Sequence, residues 1–413
     1  MPPTGTTIRI RVRMSARPTD EPHRASSQLE LLFDLTFVVA VAAVTARLAH
    51  DLADGHGLAA LVPFLQVFFA IWWAWMNFTW FASSYDTDDV AYRLLTMVQM
   101  AGVLTLAAGV PAAFSHSDYG IITLGYVIMR IGLVAQWLRA GLEDPAGRRT
   151  ALRYAAGIGL VTAGWALRYL FAELGLLPSF AGLLVLLCLD VLELAVPRWA
   201  ERARPTTWHP HHIAERYGLF TIILLGESVL AASRGVEGAL EAGQIRGTFV
   251  VIAGCGLVLL FALWWLYFLI EAGEGLSDRR HRSYLWGYGH YGIFAALAAL
   301  GAGLEVAVEQ SGHAVAASPQ ALGYAVAIPV GVYLALLWAA HALVAAEPVI
   351  HPAAVLGCVA AALLLPLAAP WIGVAAVVAA ITAICVLLVA VTITTAAAGA
   401  RRQGSRLSTS GES

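Results

Sequence analysis

Long apolar runs alternate with short polar connections from residue 29 to residue 396. The runs are 29–49, 58–81, 91–114, 120–139, 151–172, 179–197, 213–233, 247–270, 285–305, 321–345, 352–369 and 371–396. Each approaches the roughly 20 residues that carry a helix across about 30 Å of hydrocarbon. They are continuous, whereas membrane strands would alternate. The pattern predicts an all-α polytopic membrane protein of about twelve transmembrane helices. The last two runs, parted by Pro370, read as two spans or as one re-entrant hairpin, so ten or eleven helices are also compatible.

The polar stretches divide the chain into an Arg-rich tail (1–28), a first six-helix unit (29–197), a linker (198–212), a second six-helix unit (213–396) and a C-terminal tail (397–413). Arginine placement then orients it. With the N-terminus inside, the even connections hold Arg93, Arg139, Arg148, Arg149, Arg153, Arg198, Arg202, Arg204, Arg279, Arg280 and Arg282. The opposite loops at 50–57, 115–120 and 305–318 are free of arginine, and only Arg234 and Arg246 run against the trend. Both termini are expected in the cytoplasm and the chain in the inner (plasma) membrane.

Composition agrees: 59% of residues are hydrophobic and 13% charged, with a mean hydropathy of +0.73. Soluble domains carry about 25% charged residues. The net charge of −2 gives no nucleic-acid footprint. Cys188, Cys255, Cys358 and Cys385 stand apart with no metal-ligand spacing, so buried free thiols are expected. No phosphate loop, zinc-helix motif or nucleophile elbow occurs, and no cofactor is expected.

The second half echoes the first. Glu30 and Thr36 align with Glu215 and Thr221, and the pair Trp72-Trp73 with Trp264-Trp265; an acid follows each tryptophan pair at equal spacing, Asp86 and Asp278. Six helices per unit would give two parallel repeats about an axis along the membrane normal.

The segments ELLFDLTFVVAV (30–41), RLLTMVQMAGVLTLAAGVP (93–111), ERYGLFTIILLGESVLA (215–231) and YLWGYGHYGIFAALAALGAG (284–303) resemble the bacterial low-temperature-requirement protein A family over roughly residues 25–395. The resemblance implies a polytopic membrane protein. The family is named for a requirement during growth in the cold, a phenotype and not a reaction.

Chemistry is expected at charges within the spans, where each is costly by about 2.5–3.5 kcal/mol on insertion scales. Glu30 follows Ser27 by three, the spacing of a capping box, and Glu215, with His212 at the cap position, is expected to act likewise. Asp34 lies one turn deeper, where no cap needs it. Glu227 sits past the midplane of the seventh run. Asp190 and Glu193 share a face of the sixth, and His290 lies in the ninth. Arg130, mid-span, needs a buried anion, with Asp34, Asp190 and Glu193 as candidates; Arg168 is placed to meet Glu227. Depth sorts these into an inner set (Asp34, Arg93, Asp190, Glu193, Arg216, His290) and an outer set (Glu227, Arg168). The tryptophan pairs read as internal packing.

Three functions fit. A secondary transporter or ion-coupled permease would use Asp34, Glu227, Arg130, His290, Asp190 and Glu193 to bind a small molecule or ion in a central cavity, supported by Glu30, Glu215, Arg93, Arg168 and Arg216. A membrane-embedded enzyme acting on a lipid or polyprenyl compound would use Asp190, Glu193 and His290 as acid and base. A sensor or scaffold would bind a partner only. The expected partners are the lipid bilayer and an unidentified small molecule or ion.

Overall fold

Helix boundaries follow local chemistry. Ahead of α1 (Gln28–Ala53), Ser27 N–H donates to Glu30 Oε2 at 2.7 Å and Glu30 N–H donates to Ser27 Oγ at 3.3 Å. This is the capping box expected from the spacing. Before α3 (Val90–His116), Asp89 caps by accepting the Tyr92 N–H. Ser318 caps α11 (Pro319–Val344), with proline at its first turn.

The computed structural model describes residues 10–19, 21, 24–241, 247–312, 314–345 and 349–410, with the backbone alone at 179, 235–241 and 396–410. Arg246 lies outside the described residues. The remaining helices are α2 (Gly57–Tyr85), α4 (Gly120–Glu143), α5 (Arg148–Glu173), α6 (Ser179–Glu201), α7 (Pro210–Glu241), α8 (Gly247–Tyr267), α9 (Ala272–Asp278), α10 (Ser283–Glu309), α12 (Pro352–Leu364), α13 (Ala369–Ile372) and α14 (Val374–Ser410). No strand occurs among the described residues.

Eleven helical stretches among the described residues are long and apolar enough to cross a membrane; α7, which carries Glu215, Arg216, Glu227 and Arg234, is not one of them. The break near the C-terminus falls at Gly373, whose φ of 81° suits glycine alone, whereas Pro370 sits in the first turn of α13. The cysteines are free, but only Cys385 is buried and Cys188 is exposed.

The described residues fall into two compact units: 1–44 with 63–216, and 45–62 with 217–413. In the first, α3 and α4 cross on glycine. A Cβ at Gly102 would stand 2.6 Å from Gly125 O, one at Gly132 2.8 Å from Leu95 O, and one at Gly109 2.8 Å from Ile122 N. Without side chains at these points the backbones approach closely, which is how membrane helices gain packing where lipid removes the hydrophobic drive.

Residues 11–19 precede α1 as non-helical chain and lie on the α2–α3 end of this unit. Val12 N–H donates to Asp89 Oδ2 at 2.9 Å, Met14 N–H to Glu143 Oε2 at 2.6 Å, and Arg17 N–H to Ser84 O at 2.9 Å. Arg139 donates to Val12 O at 2.6 Å, and Met14 is fully buried.

The second unit is joined by side chains reaching neighbouring backbones. Tyr333 OH donates to Leu263 O at 2.8 Å, Thr382 Oγ1 to Cys255 O at 3.1 Å, and Ser228 Oγ to Leu297 O at 3.4 Å. The tryptophan pairs, equivalent in sequence, differ in setting. Trp72 and Trp73 are 1% and 0% exposed, but Trp264 and Trp265 are 43% and 46% exposed, so the packing role expected of all four holds only for the first pair.

A side chain forced into the α3–α4 seam should be felt directly. Gly102→Val should destabilise the purified protein by about 1–3 kcal/mol through overpacking, read as a lowered Tm. Gly159→Ala, where a Cβ meets nothing within 4 Å, should leave Tm unchanged or slightly raised.

Candidate functional site

Glu30 and Asp34 lie one turn apart on the inward face of α1, while Leu31, Leu32 and Leu35 on the other faces are exposed. Into that face comes Arg216, the last residue of the first unit, itself fully buried. Its Nη1 stands 3.0 Å from Glu30 Oε1 and its Nη2 donates to Asp34 Oδ1 at 2.5 Å. His212, one turn earlier on α7, places Nε2 3.0 Å from the same Glu30 oxygen, and Arg24 reaches it at 3.7 Å. Trp75 Nε1 donates to Asp34 Oδ1 at 2.7 Å. Asp34 Oδ2 has no hydrogen-bond partner.

A second network lies across α2. Glu193 accepts Trp73 Nε1 at 2.6 Å on Oε2 and Tyr126 OH at 2.8 Å on Oε1, while Arg130 donates to Oε2 at 3.4 Å and also to the Tyr126 hydroxyl. Trp73 and Trp75 are two positions apart, so their indoles leave α2 in different directions, one toward each buried acid. Along α3 and α4 the polar contacts continue. Gln99 donates to Gln136 at 2.9 Å and Gln136 to Thr96 at 3.1 Å; Arg139 then meets Asp89 at 2.6 and 2.8 Å.

Outside the spans two acids titrate apart. Burial raises Asp89, but hydrogen bonds from Arg139 and from the Val12 and Tyr92 amides outweigh it and hold the carboxyl well below its usual range. Burial, aided by the charge of Glu30, pushes Asp86 up to about 6 against the pull of Arg24 and Arg17.

In the second unit Glu227 is buried, and Oε1 accepts from Arg234 at 3.2 Å, while Oε2 has no hydrogen-bond partner. Arg234 also donates to Glu305 on α10 at 3.3 Å, so two carboxylates share one guanidinium. His290 is enclosed by Trp286, Tyr217, Phe294 and Tyr267. Nδ1 stands 2.7 Å from Trp286 O, an acceptor, so it carries the proton; Nε2 then accepts from Tyr267 OH at 3.1 Å. Both nitrogens are engaged. Among the described residues no group of three or more His, Cys, Asp or Glu is placed to hold a metal ion.

The sequence of the bacterial low temperature requirement A protein family matches over residues 25–392, which contains all of these networks except Val12, Arg17 and Arg24. The chain belongs to that family. An uncharacterized protein of Rhizobium meliloti (strain 1021) is 28% identical over 283 residues, 64% of this chain; the chain spans 65% of that relative's length. No solved structure matches it.

Within this low temperature requirement A chain, Arg130 meets Glu193, one of its three expected anions, and Asp34 turns inward as expected. Three expectations change. Arg168 donates to Gly182 O at 3.4 Å, and the arginine on Glu227 is Arg234, seven residues along the glutamate's own helix. Glu215 does not cap α7: it accepts the Ser26 amide at 3.2 Å, and His209 Nδ1 accepts the His212 N–H instead. Arg93 does not join the inner set, since it is exposed and pairs with Asp88 at 2.7 Å. Asp190, half-buried, takes no part in the Glu193 network.

Sequence reasoning missed Trp73, Trp75, Tyr126, His212, Arg234 and Glu305. The donors were hidden because an aromatic at lipid depth reads as packing. Glu305 was hidden because it closes a helix and reads as a terminal charge.

Removing one partner of a buried charge set leaves the others uncompensated. Arg216→Gln should lower stability by about 3–5 kcal/mol, and Trp75→Phe by about 1.5–3 kcal/mol, as for a hydrogen bond to a charged group; both are read by thermal unfolding of the purified protein. The Asp86 carboxyl should titrate by difference infrared spectroscopy with a midpoint of about 6, against an ordinary 3.8, in a band absent from Asp86→Asn. A midpoint at the ordinary value would show that its burial is not felt.

Proposed function

We propose that the chain is a secondary transporter or ion-coupled permease of the inner membrane, both termini cytoplasmic, in which Asp34 and Glu227 hold the coupling ion. The observation that carries this reading is common to both acids. Each is buried, each has one oxygen on an arginine, and each has a second oxygen with no hydrogen-bond partner. An acceptor left unmade in a dry site costs about 1–3 kcal/mol, more when charged. A proton or a monovalent cation arriving at the open oxygen removes that penalty. Glu193, by contrast, has donors on both oxygens and serves as structure.

Glu305 strengthens the case at Glu227. Two carboxylates on one guanidinium leave one negative charge without a side-chain partner, which one bound proton or cation neutralises. Side-chain exposure falls from 36% at Arg234 through 19% at Glu305 to 2% at Glu227, so the set grades from the protein's surface to its interior. On this reading the two sequence-related halves each contribute one such acid, as parallel-repeat carriers do. The enzymatic alternative has less to draw on, since His290 has no free nitrogen.

The test needs no knowledge of the substrate. The full chain in proteoliposomes, given a step in proton or sodium concentration, should show a charge displacement. Asp34→Asn and Glu227→Gln should each reduce it about tenfold or more, the equivalent of ~1.4 kcal/mol of ion binding. Asp51→Asn, an acid paired with Arg47 at the end of α1, should retain it. Undiminished displacement in both amide variants would remove the proposal.

A further inference from the structure

We infer that residues 11–19 form a strap that closes an ion-access path running from the α2–α3 end of the first unit to Asp34, with Arg24, further along the chain, as its plug. The inference rests on the transporter reading for the purpose of the path, but not for its existence.

The path is a stripe on α2. Trp75, Thr79, Ala82 and Asp86 recur at i, i+4, i+7 and i+11, the spacing of one helical face, with Asp86 just past the helix end. At the inner end Trp75 holds Asp34. At the outer end Arg24 sits on the stripe: its Nη2 donates to Ala82 O at 3.3 Å and stands 3.6 Å from Asp86 Oδ2.

Four polar atoms along this route are buried and without a hydrogen-bond partner: Arg24 Nε, Thr79 Oγ1, Tyr92 OH and Asp34 Oδ2. Tyr92 lies beside the stripe, with its ring against Phe78 and Phe81. Buried polar groups are almost always paired. A line of orphans leading to a half-satisfied acid is the lining expected of a route that fills with water or an ion when open.

Arg24 is suited to be removable. Glu30 Oε1 already has Arg216 and His212 at 3.0 Å, and Arg24 is the most distant of the three at 3.7 Å. The strap is held mainly by side chains, with one backbone bond from Arg17 N–H to Ser84 O, and not by a sheet or a helix. Arg11 pairs with Glu143 at 3.2 Å, Arg13 donates to Glu143 O at 2.9 Å, and Met14 N–H donates to Glu143 Oε2. Glu143 is therefore the main catch, and it lies at the end of α4, away from the buried acids. The strap also precedes the stretch matched by the family, which begins at residue 25.

The test is thiol access. Thr79→Cys in the full chain, reconstituted in proteoliposomes, is treated with a small charged methanethiosulfonate, and modification of the α2 peptide is followed by mass, which separates it from the native cysteines. With the strap intact, modification should be slow. Adding Arg24→Gln or Glu143→Gln should speed it about tenfold or more, as for a local opening whose closed state has been weakened. Hydrogen exchange of residues 75–84, in chains without the cysteine, should rise in the same two variants and guards against a misfolded Thr79→Cys. Equal modification with and without the strap substitutions overturns the strap; no modification in any background, with exchange unchanged, overturns the path. Strap-dependent access in a chain without charge displacement would refute the transporter reading while the strap stands.

Discussion

One guanidinium, that of Arg216, faces two carboxylates set one helical turn apart on α1. Much of the first unit depends on that contact. Arg216 ties the start of α7 to α1, and Trp75 adds α2 to the same aspartate. In hydrocarbon an isolated charge is intolerable, so acids at this depth dictate which helices must meet. Where a soluble protein would assemble by turning its apolar faces together, here the outward faces are apolar as well. Position is set by the few groups that lipid cannot satisfy.

That constraint is met unevenly. Glu193 is filled by Trp73, Tyr126 and Arg130. Asp34 and Glu227 are each filled on one side only. A protein that needed nothing more than glue between helices would be expected to complete both, since a half-made buried network is worse than an apolar one. Incomplete acids thus stand beside a complete one. The same contrast separates His290, locked on both nitrogens within an aromatic enclosure, from the titratable groups the transporter reading uses.

The N-terminal segment extends this logic to the end of the first unit. Its backbone is satisfied by acids and carbonyls at helix ends, and one of its arginines reaches past them to a buried glutamate. Asp86 at that end is raised by burial despite two neighbouring arginines.

The apolar runs, their lengths and the capping box at Ser27–Glu30 were legible in the sequence, because each depends on residues within a turn or two of one another or on transfer from water to lipid. The inward turn of Asp34 was legible for the same reason: no aspartate is stable against lipid. The family resemblance followed from contiguous motifs. What the sequence could not contain was the choice of partners. Arg216 is 182 positions from Asp34, and Glu193 120 from Trp73. Several charges of the right sign lay at similar depths, and depth pointed to Arg168 for Glu227, where Arg234 stands. Only the packing of helices decided which pairs met, which oxygens stayed open, and that tryptophans chosen for bulk would also serve as hydrogen-bond donors. The reason is physical: hydropathy acts along the chain and is additive, whereas pairing in a low-dielectric interior depends on distances of a few ångströms between segments remote in sequence.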